Sequence, residues 1–237
     1  QKLPQKNKKI NSLINFSKYI ELKNLNFRYQ NDNPWVLNNI NVKIEKGARV
    51  GVIGPTGSGK STLIDILMGL LPPTKGEFLI DGKLISNLNV AAWRDHIAHV
   101  PQNIFLSDGT IEENIAFGVA KDRINHERVE EAAKQAQISC LIEEWQNGYQ
   151  TYVGERGIKL SGGQRQRIGI ARALYKKADV LIFDEATCSL DNETEQVMTS
   201  YIEDSCKDKT VIIATHKHSL LSLVDRVIII VDGKIIA

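Results

Sequence analysis

The sequence predicts an α/β domain built on a mostly parallel sheet covered by helices on both faces. Three observations carry that expectation. The runs Val50–Ile53, Val180–Phe183 and Val211–Ala214 are strand-length and apolar throughout, as strands buried on both sides must be. Helical segments alternate with the strands of the last third, which is the sequence order of a parallel sheet with crossover helices. A long helical stretch from about Thr110 to Trp145 reads as an insert that interrupts this sheet.

Along the chain, the first eighteen residues are polar and basic, with Lys2, Lys6, Lys8 and Lys9 ahead of a weak apolar run. They read as a linker or arm; four lysines on a flexible arm give only thin support for binding anionic lipid headgroups. From Tyr19 the pattern changes. Ile20, Leu22, Leu25, Phe27 and Tyr29 alternate as a strand with one slip, and Ile40, Val42 and Ile44 alternate again. A turn at Lys46-Gly47 leads into Val50–Ile53. The segment Lys60 to Leu70 reads as a helix stopped by Pro72-Pro73, and Phe78 to Ile85 as a hairpin around Asp81-Gly82. Thr110-Ile-Glu-Glu is a capping box that opens one helix, and Glu127 to Ala136 carries a second. Helix Gly163 to Tyr175, strand Val180 to Phe183, helix Glu193 to Ile202, strand Val211 to Ala214, a short helix and strand Val227 to Val231 complete the alternation.

Composition narrows the function classes. A length of 237 residues with 42% hydrophobic content can bury a sizeable core, and the plentiful Ile, Leu and Val argue against disorder although aromatics are only 6%. Lys plus Arg is 30 against 28 for Asp plus Glu, so the net charge of +2 gives no bulk reason to expect nucleic acid as a partner. No stretch approaches the ~20 apolar residues of a membrane-spanning helix. The opening lacks the apolar stretch and cleavage site of a signal peptide. Cys140, Cys188 and Cys206 are odd in number and lack metal-ligand spacing, which suits a reducing cytosol. The first residue is Gln1 rather than Met, so a piece of a longer polypeptide is expected.

The chemistry is concentrated in three motifs. Gly54-Pro55-Thr56-Gly57-Ser58-Gly59-Lys60-Ser61 follows a strand and opens a helix, the context a phosphate-binding P-loop requires. Its glycines let several backbone N–H groups point at one phosphate, and the helix start adds partial positive charge. Lys60 neutralises the β- and γ-phosphates, and the Ser61 hydroxyl is a Mg²⁺ ligand. Second, the apolar strand Val180–Phe183 delivers Asp184 and Glu185 to the carboxyl edge of the sheet, where open α/β folds bind ligands. Asp184 can hold Mg²⁺ through water, and Glu185 stands where a base or water-orienting group would act. Third, Leu160-Ser161-Gly162-Gly163-Gln164 opens a helix with a hydroxyl and exposed N–H groups, a second anion site; an ordinary N-cap is the competing reading of the pentapeptide alone. Two phosphate-binding helix starts with one P-loop lysine either take separate anions or close on one nucleotide from two chains.

Taken in that order, Gly54–Ser61, Leu160–Gln164 and Asp184–Glu185 resemble the nucleotide-binding domain of ATP-binding cassette (ABC) transporters, whose signature is LSGGQ. The resemblance extends from Tyr19 to Ile236. It implies a P-loop NTPase (RecA-like) core, about 19–102 and 163–237, with an antiparallel β subdomain and a helical signature subdomain, about 103–162. It implies ATP and Mg²⁺ as ligands, with the nucleotide held by Gly54 to Thr62 (Thr62 included) and by Ser161, Gly162, Gly163 and Gln164. Tyr29 matches the aromatic that stacks on adenine; a plain strand aromatic is the competing reading, and Trp35 is the other candidate. Gln102 matches the glutamine that senses Mg²⁺ and the attacking water, Ser189-Leu190-Asp191 the loop that speaks across a dimer, and His216 the histidine on the γ-phosphate. Lys60, Gln102, Glu185 and His216 are thus the catalytic candidates, and Ser61, Gln102 and Asp184 the metal ligands. His96, His99, His126 and His218 read as structural or merely exposed.

Ser107 to Ile115 and Thr151 to Gly157 look like exporter-type domains, in which Glu155 lies near the cytoplasmic loops of a membrane domain. The arm before Tyr19 looks like the tether after a last transmembrane helix. The implied partners are a second such domain and the membrane domain of an exporter, at the cytoplasmic face of a membrane. Three departures stand out. Cys188-Ser189 replaces the common Ser-Ala, and Cys188 reads as a small packed residue. Thr215-His216-Lys217 replaces the commoner Ala-His-Arg. The C-terminal helices usual in the family do not follow Val227–Val231, which implies weaker dimer contacts. The alternative is a regulatory or non-transport ABC ATPase, but the long coiled-coil insertions or second cassette of such proteins are lacking.

Overall fold

A computed structural model describes residues 14–154, 157, 159–184, 195, 196, 199, 200, 202, 208–215 and 217–236. Two sheets organise it. The first is antiparallel, in the order β2-β1-β4-β5, from β1 (Tyr19–Phe27), β2 (Leu37–Glu45), β4 (Lys75–Ile80) and β5 (Lys83–Leu84). The second has the order β10-β9-β3-β8-β7-β6, from β3 (Arg49–Ile53), β6 (Ile97–Val100), β7 (Val180–Asp184), β8 (Thr210–Ala214), β9 (Arg226–Val231) and β10 (Lys234–Ile235). All pairs from β6 to β9 in that sheet are parallel, and only β10 returns antiparallel. The expected parallel core, antiparallel sheet and helical insert are therefore all present.

The central strands β7 and β8 are apolar between their end residues because each feeds two cores. Val180 and Ile182 of β7, with Ile212 and Ala214 of β8, pack toward the antiparallel sheet beside Leu63, Ile64 and Trp93. Leu181 and Phe183, with Val211 and Ile213, pack on the other face against Ile111, Val129, Ile168 and Ile170. Successive residues of a strand point to opposite faces, so a strand covered on both sides has no polar position to spare.

The slip in β1 is a bulge between Leu22 and Leu25, with Asn24 at φ +47°. The hairpin at Asp81-Gly82 has both turn residues in the left-handed region, at φ +51° and +79°, as a two-residue turn between right-twisted strands requires. Helix α1 (Lys60–Leu67) ends earlier than expected. Gly69, at φ +69°, donates to Ile66 O, and Leu70 donates to Asp65 O, so a glycine cap stops the helix before Pro72-Pro73 is reached. Trp93, fully buried in α2 (Val90–Asp95), donates its indole N–H to Leu67 O at 2.8 Å and so satisfies another last-turn carbonyl of α1.

The helical insert contains α3 (Ile111–Ile115), α4 (His126–Gln135) and α5 (Ser139–Glu144), and α6 (Gly162–Lys176) runs from it back to the parallel sheet. Both halves of the capping box form at α3: Thr110 Oγ1 accepts from Glu113 N, and Glu113 Oε2 accepts from Thr110 N, each at 3.2 Å.

Ile14 and Phe16, which the sequence assigns to the arm, are 4% and 5% exposed and belong to the core around Trp93. The chain beside them is held by Asp81, whose carboxylate accepts from Ser17 N, Ser17 Oγ, Lys18 N and Tyr19 N at 2.6–2.8 Å. Burial works against the charged carboxyl, but the N–H groups of Tyr19, Ser17 and Lys18 and the Ser17 hydroxyl keep it below its ordinary 3.8. That contribution to stability is complete above the unfolded-chain value and fades as pH falls through the lower folded value. Asp81→Asn should therefore narrow the difference in thermal stability between about pH 7 and about pH 3. An undiminished difference in unfolding temperature would assign the acid sensitivity elsewhere.

Candidate functional site

The turn between β3 and α1 is built around three positive-φ glycines: Gly54 at +155°, Gly57 at +81° and Gly59 at +106°. At Gly54 a Cβ would stand 2.1 Å from Ile230 O and 2.7 Å from Ser58 Oγ; at Gly59 it would stand 2.7 Å from Leu37 Cδ2. Around Gly57 nothing lies within 4 Å, so the loop's crown faces open space. Lys60 is 5% exposed, and its ammonium donates to Gly54 O at 2.8 Å and Pro55 O at 3.1 Å. The cation is thus folded back over the loop that opens its own helix. Pro55 and Thr56 are exposed, Ser61 is exposed on the first turn of α1, and Thr62 is buried. Ser58 Oγ is buried with no hydrogen-bond partner among the described residues, a polar atom left for a ligand of the loop.

Register gathers the rest. Val52 of β3 lies beside Ala214 of β8, and Ala214 beside Asp184 of β7, while Phe183 lies beside Val100 of β6. Because these strands are parallel, the P-loop, Asp184, Thr215 and Gln102 all leave the sheet at one edge. Asp184 is partly exposed there and Gln102 exposed. Glu185 and His216 directly follow Asp184 and Thr215 in the chain but lie outside the described residues, as do Glu155, Cys188 and Ser189–Asp191. A serine hydroxyl, a carboxylate and an amide oxygen form a hard oxygen set, which fits Mg²⁺ rather than a soft metal.

Two aromatics competed for the base. Tyr29 lies just beyond β1, 60% exposed, with its hydroxyl 3.2 Å from Thr62 Oγ1 of α1 and its ring edge-on to Phe27. Trp35 instead carries the Arg28 guanidinium 4.6 Å from its ring centre and the Lys75 ammonium at 5.6 Å. The structure brings Tyr29 to the P-loop helix and leaves Trp35 covered by cations.

Ser161 caps α6, accepting from Gln164 N at 3.2 Å, while Gln164 Oε1 accepts from Ser161 N at 2.9 Å. This second capping box turns the Gln164 side chain back on its own helix. The pattern Ser-x-x-Gln could have signalled it. Gly162 and Gly163 occupy the first two helical positions, whose N–H groups have no acceptor within a helix, and a Cβ added at Gly162 would meet no other part of the described chain within 4 Å. The Ser161 hydroxyl hydrogen and these amides form an open anion-binding start.

One support of the P-loop was not foreseen. Gly233, in the turn between β9 and β10, donates to Ser58 O at 3.1 Å and accepts from Asn38 N at 2.7 Å. Nothing local in the Asp232-Gly233 dipeptide signals that it buttresses the loop.

A parallel sheet with a P-loop at its carboxyl edge and a second anion-binding helix start defines a P-loop ATPase of the two-motif kind. A family model described as ABC transporter matches residues 37–188, well over half of the chain. The chain belongs to the ABC transporter family. It is 42% identical over 217 residues to the ATP-dependent lipid A-core flippase of Saccharophagus degradans, covering 92% of this chain and 36% of that protein. It is 43% identical over 217 residues to the leukotoxin translocation ATP-binding protein LktB of Mannheimia glucosida, covering 92% and 30%. Among solved structures, a bacterial Atm1-family ABC exporter with ATP bound superposes with a TM-score of 0.88 at 36% identity, covering 95% of this chain and 39% of that one. The chain spans about a third of the length of these relatives.

Proposed function

We propose that this chain is the ATP-driven motor of an exporter and works as a head-to-tail pair. Two ATP–Mg²⁺ would lie between the P-loop of one copy and the LSGGQ segment of the other. The observation that carries this reading is the open start of α6: its amides and the Ser161 hydroxyl are set for an anion, yet the chain has one P-loop lysine. Exporters among the relatives support the direction of transport. A membrane domain is the natural second partner, with the residues before Ile14 as the tether from it and the chain from Ile14 onward, whose Ile14 and Phe16 pack into the core, as the ATPase domain. The core would be about 19–102 and 163–237, and the signature subdomain about 103–162. The domain would then sit at the cytoplasmic face of a membrane; no helix among the described residues is long and apolar enough to cross one. Nucleic acid is not proposed as a partner, given the net charge of +2.

Each residue then has a task. Tyr29 stacks on the adenine. The loop amides from Gly54 to Ser61 and the Lys60 ammonium hold the β- and γ-phosphates. Ser61, Asp184 and Gln102 would hold Mg²⁺, which when bound neutralises charge on the phosphate oxygens. Glu185 orients or deprotonates the water that attacks the γ-phosphorus as ADP leaves, and His216 stabilises the transferred phosphoryl group. Ser161, Gly162 and Gly163 of the facing copy complete the shell around the γ-phosphate. Phosphoryl transfer needs mainly positioning and charge stabilisation, so pairing supplies what one copy lacks. Release of the γ-phosphate removes the bridge and lets the copies part.

ATPase rate measured against protein concentration tests the pairing. The rate per molecule should rise with concentration. A constant rate per molecule would overturn the paired site, and ATP binding without turnover at any concentration would favour a regulatory module.

A further inference from the structure

The segment that follows Gln102 is fastened to α6, the helix opened by the LSGGQ segment. Gln102 stands midway along the span Val100–Ile104. One end of that span is the end of β6, where Val100 lies beside Phe183 of β7. The other end rests on α6. A Cβ at Gly169 of that helix would stand 2.3 Å from Ile104 Cδ1, 2.7 Å from Cγ1 and 3.2 Å from Cγ2. The missing side chain is what makes room for Ile104. Leu106, two residues on, is fully buried in the core of the same face.

Arg172, further along α6, closes over the segment. Its Nε donates to Asn114 O at 2.9 Å, Nη1 donates to Phe105 O at 3.0 Å, and Nη2 lies 3.4 Å from Asn114 Oδ1. Its guanidinium carbon stands 4.6 Å from the centre of the Phe117 ring. Asn114, fully buried, completes the clasp. Its Oδ1 accepts from Ser107 N at 2.9 Å, and its Nδ2 donates to Ser107 O and Thr110 O, both at 3.0 Å. Among the described residues, every hydrogen-bond acceptor of Arg172 is a neutral oxygen. Burial lowers its pKa to about 10, so the charge persists at neutral pH but is held away from water. A planar guanidinium bridges two carbonyls from one position, which a lysine ammonium cannot copy. Gly169 and Arg172 lie three residues apart and share one face of α6, and the same helix begins at the Ser161–Gly162 anion site.

We propose that Gly169 and Arg172 are positioning residues for ATP hydrolysis, the seat and the clasp by which α6 sets how far Gln102 reaches toward the nucleotide. The helix that offers its amides to the facing copy's phosphate thereby also governs a residue of its own copy's site. The inference rests on the role given above to Gln102. It concerns turnover and not nucleotide affinity, since the P-loop and Tyr29 are held by other contacts. Displacements near 1 Å are enough to cost on the order of 10²-fold in rate at a positioned site, so a partial shift should be easy to read.

The test is ATP turnover by the full 237-residue chain at a protein concentration that saturates the rate, with labelled-ATP binding measured in parallel. Amide hydrogen exchange in the nucleotide-free chain reads the segment directly. Gly169→Ala should lower kcat about tenfold while ATP affinity stays within about twofold. It should also speed exchange at Ser107, whereas α6 itself is not weakened, since alanine is the better helix former. Adding Ile104→Ala removes the obstructing atoms and should return kcat to within about threefold of wild type. Arg172→Lys keeps the charge and loses the bridge, so it should behave like Gly169→Ala. A purely structural role would lower the unfolding temperature without the split between kcat and affinity and without the rescue. A kcat within about twofold of wild type in Gly169→Ala or Arg172→Lys, or a Gly169→Ala loss that Ile104→Ala does not relieve, overturns the proposal. Should Arg172→Lys fail to fold, Gly169→Ala and its rescue decide alone. Gln102→Ala separates the two ideas. If it leaves turnover intact, the site reading of Gln102 fails; if it slows turnover while Gly169→Ala does not, only the seat and clasp fail.

Discussion

Glu185→Gln should bind ATP as tightly as the wild-type chain and hydrolyse it at least ~10²-fold more slowly. The amide keeps the shape of the carboxylate and loses its ability to take a proton from water. Without hydrolysis the γ-phosphate stays in place, so the variant with ATP should also elute at twice the mass of the free chain. Labelled-ATP binding, phosphate release and size-exclusion chromatography read the three expectations separately. Unchanged turnover would remove Glu185 from the chemistry, and lost binding would mean that the residue serves the fold.

Lys60→Ala should lose about 10²-fold in ATP affinity, the equivalent of roughly 3 kcal/mol from charge-assisted bonds to phosphate. The same ammonium donates to Gly54 O and Pro55 O, so its removal also frees two carbonyls of the loop. Binding is the informative measurement here, since turnover would fall for either reason. Labelled ATP retained at wild-type affinity would count against the P-loop assignment. A large drop in unfolding temperature without nucleotide would show that the bracing of the loop mattered more than the charge.

Much of this architecture was legible because the informative residues speak locally. A strand covered on both faces is apolar between its end residues, so β3, β7 and β8 stand out in the sequence. The Thr110 capping box and the Asp81-Gly82 turn each declare themselves within four residues. The P-loop glycines are required by backbone angles that other residues adopt at a cost, which makes that motif hard to imitate by chance. What stayed hidden depends on distant partners. β6 is four residues long and has no counterpart among the expected strands, because four residues carry too little periodicity. The end of α1 was placed at the prolines, but Gly69 stops it first. Ile14 and Phe16 gave a weak apolar run whose burial depends on Trp93 and Asp81, some 65 to 80 residues away. The ion pair between Glu195 and Lys217 has no sequence signal, since a Glu and a Lys 22 residues apart have no reason to be paired before the fold is known.

The place of β3 in the sheet has a consequence for how this molecule comes into being. Its two neighbours are β8 and β9, and the turn after β9 is the one that supports Ser58. A ribosome that has just released Ile53 must still add more than 150 residues before either neighbour exists. At the usual ~5–20 residues per second the nascent P-loop strand waits on the order of ten seconds with both edges unpaired. Throughout that interval a chain rich in Val and Ile offers an open template for pairing with other chains. The ability to bind ATP therefore arrives only after β9 and the turn beyond it have been made. A chain released before β9 would carry the whole nucleotide motif and still be unable to shape it.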